Sequence, residues 1–176
     1  MEHPINKKKN KIIKKKKMSK SSYKIIYATQ SGNAQQFAED LGKECKLKGI
    51  EFEIKEIDNI TSIEEFNNSN LLVFIVSTFG DGEPTDDAVD FTDMIKQNSF
   101  WEKFTNENCL FTVFGLGNSA FPKFNAQAKL FHKIFSQHMT QLCELGLGDD
   151  GKNLSGDFDK WKKNIFFPAL EEIVKK

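Results

Sequence analysis

A run of six apolar residues leads directly into a turn that is rich in glycine and acidic residues. Residues 71–76 read LLVFIV, and residues 77–88 read STFGDGEPTDDA. A short apolar run bounded by turn residues is typical of a strand that is buried on both faces of a parallel sheet. Glycines favour a surface turn and acidic residues are compatible with one, but a surface turn does not require an aromatic residue such as Phe79. This segment therefore predicts a central strand with a functional loop at its carboxyl end.

Strand-like and helix-like patterns alternate along the chain from Tyr23 onward. Helical spacing of apolar residues begins at Ala34, Gly49 closes that helix, and Pro168 ends or kinks the last one. The alternation predicts a doubly wound α/β domain, in which helices cover both faces of a parallel sheet. The predicted strands are residues 23–28, 51–57 (a half-exposed edge strand), 71–76, 109–114 and a short piece before residue 145; the later helices are residues 86–97, 125–138 and one that carries Phe158, Trp161 and Ile165.

Four loops are candidates for a binding site, because ligands of doubly wound sheets bind outside the carboxyl ends of the strands. These loops are residues 29–33, 77–88, 115–125 and 147–151. Residues 29–33 read TQSGN and open a helix, so their hydroxyls and N–H groups either bind an anion or simply cap the helix. The loop lacks the signatures of nucleoside triphosphate and dinucleotide binding, which favours a single phosphate monoester.

Two of these loops each contain one aromatic residue, Phe79 and Phe121. Two aromatic side chains with glycines between them would form a slot for a flat ring. The alternative is that both side chains merely pack over the end of the sheet, since the chain contains 17 phenylalanines.

The formal net charge of zero conceals an uneven distribution. Residues 1–24 contain ten lysines and one acid, whereas residues 25–176 contain 15 lysines and 24 acids, so the two parts carry net charges of +9 and −9. The acidic part should attract basic partners and repel nucleic acid. We predict that residues 1–22 form a disordered basic tail, with lipid binding or a nuclear signal as alternatives, and that residues 23–176 form the domain.

Cysteine usage and hydropathy favour a cytoplasmic location. Cys45, Cys109 and Cys143 have no paired spacing, which argues against a disulfide framework or a metal site and suits a reducing compartment. The sequence contains no apolar run as long as a membrane span, and its basic N-terminus lacks the apolar core of a secretory signal. We therefore expect no transmembrane segment.

Four motifs resemble the flavodoxin-like FMN domains of the diflavin reductase family, and within it the cytochrome P-450 reductase branch. The resemblance extends from about Tyr23 to Val174 and implies a five-stranded parallel sheet of order 2-1-3-4-5 with FMN as cofactor. The motifs are residues 27–38 (YATQSGNAQQFA), residues 77–88, residues 113–118 (VFGLGN) with Phe124 and Asn125, and residues 145–150 (LGLGDD) with Asn153 and Leu154.

The resemblance also assigns roles in FMN binding, position by position. Residues 29–34 would hold the phosphate, Phe79 and Phe121 would stack on opposite ring faces, and Asp149 would lie near the ring and ribityl chain. At Gly80 the family uses the peptide group to contact flavin N5, and glycine gives that peptide the freedom to reorient. No residue is assigned as a catalytic group or metal ligand, because the cofactor carries the chemistry. The assigned residues are Thr29, Gln30, Ser31, Gly32, Asn33, Ala34, Ser77, Thr78, Phe79, Gly80, Leu116, Gly117, Asn118, Ser119, Ala120, Phe121, Pro122, Lys123, Phe124, Asn125 and Asp149.

The sequence departs from this family in two respects. Both ring-facing positions are usually tyrosine in cytochrome P-450 reductases, so Phe79 and Phe121 keep the stacking area but lack the hydroxyl, and we hypothesise an altered FMN affinity and redox potential. The chain also has no room for the FAD and NADPH lobes of a diflavin reductase. It is therefore expected to be either an independent carrier or a piece of a longer reductase.

The predicted function is electron transfer through FMN, from a reductase that contains FAD and uses NADPH to a haem or iron–sulfur acceptor. Alternatives are an FMN-dependent quinone-reducing or tRNA-modifying module, and a flavin-free interaction domain on the same fold. Acidic residues near the proposed site would steer a basic acceptor such as a cytochrome, unless they only form a solvated face. They are Asp81, Glu83, Asp86, Asp87, Asp90 and Asp93, with Asp149, Asp150, Asp157 and Asp159 as a second group.

Overall fold

Strands and helices alternate in the computed structural model, which describes residues 22–176. The tail predicted over residues 1–22 lies, apart from Ser22, outside the described residues. The strands are β1 (Tyr23–Ala28), β2 (Glu53–Glu56), β3 (Leu71–Phe79), β4 (Glu83–Pro84), β5 (Leu110–Gly117), β6 (Thr140–Gln141) and β7 (Gly146–Asp149). The helices are α1 (Asn33–Leu47), α2 (Glu64–Asn67), α3 (Val89–Ile95), α4 (Asn98–Trp101), α5 (Ala126–Ser136), α6 (Leu154–Trp161) and α7 (Phe167–Val174).

The parallel sheet has the order β2-β1-β3-β5, and the short strands β6 and β7 both pair with β5. Because β6 and β7 pair with successive parts of β5, they act as two pieces of one edge strand, and the predicted order 2-1-3-4-5 is confirmed. The half-exposed strand β2 lies at the opposite edge, as its alternating pattern predicts. β4 adds a short antiparallel pairing beyond the end of β3.

The sheet separates two apolar layers. The first six residues of β3 are fully buried, and successive side chains alternate between the layers, so that Phe74 belongs to one and Ile75 to the other. The first layer is rich in phenylalanine from α3 and α5, and the second packs α1, α6 and α7 against the other face. Full burial of one such side chain contributes about 1.5–3 kcal/mol, so the two layers fix the strand ends from which the loops extend.

The fifth strand lies later in the chain than its pattern suggested. Residues 147–149, predicted to belong to the loop after strand five, instead lie in β7 (Gly146–Asp149). Two glycines weaken the strand pattern, and close packing requires both of them. A Cβ atom on Gly146 would lie 2.4 Å from Phe114 Cδ2, and one on Gly148 would lie 2.6 Å from Leu154 Cδ1.

Pro168 does not end the last helix. It lies in the first turn of α7, and a π-helical turn over Lys162–Phe166 joins α6 to α7 without a break. Proline removes one backbone donor and crowds the preceding turn, and a wider turn relieves both effects. The proline therefore coincides with a distortion of a continuous helix, as the prediction of a kink allowed.

Candidate functional site

The loops that follow β1, β3 and β5 enclose one cavity of about 330 Å³ at the carboxyl edge of the sheet. Thirteen of the residues assigned from the sequence line it: Gln30, Ser31, Asn33, Ser77, Thr78, Phe79, Gly80, Leu116, Gly117, Asn118, Phe121, Lys123 and Asn125. The lining also includes Asp150 and Leu154, which the sequence assignment missed although both stand in or next to the fourth motif. The volume lies within the usual range for small-molecule and cofactor sites.

The loop between β1 and α1 offers unpaired donors to this cavity. Gly32 adopts a left-handed conformation (φ 96°), and its N–H donates to Thr29 Oγ1 over 2.9 Å. No side chain caps α1, and the N–H groups of Ser31, Asn33 and Ala34 have no acceptor among residues 22–176. These free donors stand at the positive end of a 15-residue helix, which is the arrangement that binds phosphate. Ordinary side-chain capping, the alternative explanation of the motif, is not realised.

Two aspartates from the loop after β4 fix the position of this donor loop. The N–H of Thr29 donates to Asp87 Oδ2 over 3.0 Å. Gln30 and Asp86 bond to each other twice, since Gln30 Nε2 donates to Asp86 Oδ2 and the Asp86 N–H donates to Gln30 Oε1, both over 3.0 Å. These contacts join residues 56 to 58 positions apart and leave no trace in the local sequence pattern.

The two aromatic residues of the cavity are exposed rather than packed into the core. Phe79 is 43 % exposed and Phe121 is 54 % exposed, whereas eight other phenylalanines are fully buried. Large apolar side chains rarely stand half exposed in the wall of a cavity unless a ligand or partner covers them. This exposure argues against the alternative in which both rings only cover the end of the sheet.

The turn that follows Phe79, which we call the glycine turn (residues 80–82), connects β3 to β4. Gly80 has φ 52° and Gly82 has φ 89°, and both values lie in the left-handed region where other residues are strained. Phe79 pairs with Glu83 on either side of the turn. The glycines predicted from the sequence to allow unusual backbone geometry therefore adopt it.

Asn125 forms part of the cavity wall and has an unpaired acceptor. It is fully buried in a left-handed conformation (φ 53°), and its Nδ2 donates to Gly148 O over 3.0 Å. Its Oδ1 is buried without a donor among the described residues. This atom packs against β5, since a Cβ atom on Gly115 would lie 2.5 Å from it and one on Gly117 would lie 2.9 Å from it.

Asp149 stabilises a neighbouring loop instead of lining the cavity. Its Oδ1 accepts hydrogen bonds from the N–H groups of Ser119 (3.0 Å) and Gly151 (2.9 Å). The hydrogen bonds from Ser119 hold the pKa of the Asp149 carboxyl below its ordinary value, so it stays ionised at neutral pH. The other assigned residues outside the lining form the surrounding loops and the start of α1: Thr29, Gly32, Ala34, Ser119, Ala120, Pro122 and Phe124.

Comparison with known proteins places this fold and cavity in a family. The flavodoxin family model matches residues 25–161. The chain belongs to the flavodoxin family. Flavodoxins bind FMN, and the free N–H groups and exposed aromatic rings of this flavodoxin domain fit that cofactor.

Curated relatives of the domain include NADPH–cytochrome P450 reductases. Identity is 38 % to that of Homo sapiens over 164 residues, which cover 89 % of this chain and 23 % of the relative. It is 33 % to that of Dictyostelium discoideum over 157 residues, which cover 89 % of this chain and 23 % of the relative. The flavodoxin domain thus spans about a quarter of the length of these relatives, and it is homologous to their FMN domain, which indicates electron transfer through FMN.

Solved flavodoxins share the fold at low sequence identity. A short-chain flavodoxin associated with a bacterial microcompartment superposes with a TM-score of 0.69 at 20 % identity, covering 86 % of this chain and 97 % of its own. The flavodoxin of Streptococcus pneumonia TIGR4 gives a TM-score of 0.68 at 20 % identity, covering 88 % and 99 %. Within residues 22–176, none of the helices is both long and apolar enough to span a membrane.

Proposed function

We propose that this domain binds FMN in the cavity and carries electrons from an FAD-containing, NADPH-dependent reductase to a haem or iron–sulfur acceptor. The proposal rests on one observation. The uncapped start of α1 and two exposed aromatic rings lie at the same cavity. FMN, when bound, supplies a redox centre that can exchange electrons either in pairs or singly. The protein's residues bind that centre, orient it and set its surroundings.

The donor loop would hold the phosphate and the aromatic residues would hold the ring. The N–H groups of Ser31, Asn33 and Ala34 are free to donate to phosphate oxygens, and Asp87 keeps their loop in place. Phe79 and Phe121, which both line the cavity, would cover the ring faces. Asp149 and the other predicted residues outside the lining would support the loops that surround the cofactor.

A basic acceptor is favoured by the charge beside the cavity. Asp81, Glu83, Asp86, Asp90 and Asp93 are exposed on the glycine turn, the segment after it and α3. The second acidic group is less available to a partner than the sequence suggested, because Asp149 is buried, Asp157 accepts a backbone N–H group and Asp159 pairs with Lys162 over 3.3 Å. Exposed carboxylates beside a redox site accelerate the encounter with a cationic partner such as a cytochrome.

We propose residues 23–176 as the FMN domain and the lysine-rich residues 1–22 as a tail. The reductase would be a separate chain or a further region of a longer protein. All three cysteines are free thiols, and Cys45 and Cys109 are fully buried, which supports a reducing, cytoplasmic compartment.

Purification of the protein tests FMN binding directly. We expect a yellow protein that releases FMN on heating, and an apoprotein that quenches FMN fluorescence at a 1:1 ratio. Electrons from NADPH should reach the bound flavin only when an FAD-containing reductase is added. A protein that neither retains nor rebinds flavin would instead be an interaction domain, and quinone turnover with NADPH alone would indicate an enzyme.

The phenylalanine at the ring-facing position provides a second test. The variant Phe79→Tyr adds a hydroxyl at the cavity and should change the FMN dissociation constant by up to about fivefold, together with the midpoint potential, through one new hydrogen bond. Phe104→Tyr, which adds the same group at a partly buried site beside Trp101, is the control. Equal affinities and potentials for Phe79→Tyr and wild type would refute a role of this position in setting them.

A further inference from the structure

A buried glutamine links the glycine turn to helix α5. Gln127 is the second residue of α5 and is 6 % exposed. Its backbone N–H donates to Thr78 Oγ1 over 3.1 Å, and its side-chain Nε2 donates to Gly82 O over 2.8 Å. Thr78 lines the cavity, but Gln127 does not. Gln127 is therefore placed to act on the cavity through the strand end and the turn, without touching a ligand itself.

The glycine turn has few other restraints. Two residue pairs, Thr78–Pro84 and Phe79–Glu83, connect β3 to β4, and both ends of the turn are glycines with positive φ. Lys123 and Asp81 approach to 3.9 Å across the turn, but both side chains are more than half exposed, and exposed ion pairs contribute little. Among the described contacts, the carboxamide of Gln127 is the buried polar group that bonds to a backbone carbonyl of the turn.

The other end of this carboxamide is unpaired. Gln127 Oε1 is buried and has no donor among residues 22–176. A buried acceptor without a partner destabilises the folded state, so packing alone would favour an apolar side chain of similar length at this position. The carboxamide does, however, form the hydrogen bond to Gly82 O, which an apolar side chain could not form.

We propose that Gln127 is a positioning residue that fixes the glycine turn and thereby sets the affinity and midpoint potential of FMN. The inference rests on the proposed FMN site, because the turn contains Gly80, whose peptide is expected to contact the flavin. With Gln127 in place, the turn keeps one arrangement before and after the flavin binds. Without it, the two glycines allow other arrangements, and the flavin must select among them.

The variants Gln127→Met and Gln127→Glu test this role. Both keep the length of the side chain and the backbone N–H. Methionine cannot donate to Gly82 O, and glutamate cannot do so when its carboxyl is ionised. Methionine also removes the unpaired acceptor, so Gln127→Met should unfold at the same urea concentration as wild type or a higher one. The control Thr112→Val removes a part-buried side-chain hydrogen bond from β5 to Cys143 O, which lies between β6 and β7 and away from the turn.

The first measurement is hydrogen exchange of the apoproteins, which involves no flavin. We expect the amides of Phe79 and Glu83, which pair across the turn, to exchange about fivefold faster in Gln127→Met, and in Gln127→Glu when its carboxyl is ionised, because one hydrogen bond to the turn is lost. Their exchange should be unchanged in Thr112→Val. The second is titration with FMN, for which we expect weaker binding and a shifted potential in the Gln127 variants only. A fivefold difference between the effects on oxidised and reduced FMN would move a one-electron potential by about 40 mV, at 59 mV for each tenfold.

The outcomes separate this inference from the proposed function. Equal exchange in the turn for wild type and both Gln127 variants would show that Gln127 does not fix the turn. Faster exchange with unchanged FMN affinity and potential would refute its effect on the cofactor. Failure of the wild-type protein to bind FMN at all would refute the FMN site, whereas the exchange measurement would still decide whether Gln127 restrains the turn.

Discussion

At the scale of single residues, carboxylates near the cavity have two distinct roles. Asp87 and Asp149 accept backbone N–H groups from other loops and keep those loops in position, whereas Asp90 and Asp93 are exposed on α3. The sequence predicted an acidic surface but could not separate the two roles, because the partners of Asp87 and Asp149 lie 58 and 30 residues away. An aspartate that binds a distant loop looks the same in the sequence as one that faces water.

Asp87 should control the affinity for the phosphate group and not for the ring. Asp87→Ala removes the acceptor of the Thr29 N–H and should weaken FMN binding about tenfold, the usual effect of losing a hydrogen bond to a charged group. Asp87→Asn retains an acceptor and removes a negative charge beside an anion site, so it should bind FMN at least as tightly as wild type.

Riboflavin, which has the ring but no phosphate, is the control ligand for these variants. Its dissociation constant, measured by fluorescence quenching, should be the same for wild type, Asp87→Ala and Asp87→Asn. An equal loss of FMN and riboflavin affinity in Asp87→Ala would show that the substitution disturbs the whole cavity.

At the scale of elements, the sequence predicted most strands and helices because their apolar periodicity is strong. The first strand was predicted with the observed bounds, and Gly49 closes α1 with φ 79° and a hydrogen bond from the Ile50 N–H to Cys45 O. The errors occur where tertiary packing overrides periodicity. In β7, side chains from other elements pack so closely that only glycine fits at residues 146 and 148. The sequence of this strand therefore resembles that of a loop.

Gly115 in β5 is packed as closely as the two glycines of β7. A Cβ atom on Gly115 would lie 2.5 Å from both Ala128 Cβ and Asn125 Oδ1, on the start of α5 and the residue before it. Gly115→Ala should therefore lower the free energy of unfolding by about 1–3 kcal/mol through overpacking. Urea denaturation of the apoprotein measures the change.

Gly42→Ala is the matched control for this substitution. Its new methyl group would meet the Cδ1 atom of Ile54, a flexible side-chain end that is 37 % exposed and free to move. Gly42 lies within α1, where alanine is favoured over glycine by up to about 1 kcal/mol. We expect unchanged or increased stability, and a loss equal to that of Gly115→Ala would contradict the packing argument.

At the scale of the whole molecule, exposed acidic residues lie at both the carboxyl edge and the amino edge of the sheet. The exposed acids next to the cavity lie at the carboxyl edge, beside Phe79, while Glu102 and Glu107 lie before β5, at the amino edge. The sequence predicted the net charge of the domain, and the topology of the sheet was needed to place part of it beside the cavity. The proposed FMN site is formed by loops that lie far apart in the sequence and that only the fold brings together.

Reversing charge on α3 should slow electron transfer to a basic cytochrome. With the FMN-loaded protein, Asp90→Lys/Asp93→Lys should reduce the second-order rate constant about tenfold at low ionic strength and flatten its salt dependence. Glu102→Lys/Glu107→Lys makes the same change in net charge at the other edge and should have a much smaller effect. Equal effects of the two double variants would show that only net charge matters and would refute docking at the carboxyl edge.

Both edges of the described sheet are poor templates for strand pairing. β2 has four residues, and Lys55 on it forms ion pairs with Glu53 (3.7 Å) and Glu65 (2.8 Å); the opposite edge is divided into the two short strands β6 and β7. A second molecule therefore finds no long row of free peptide groups to extend. A carrier of the proposed kind would bind one partner, separate from it and bind another, so short sheet edges would shorten side-on encounters and favour contacts at the mouth of the cavity.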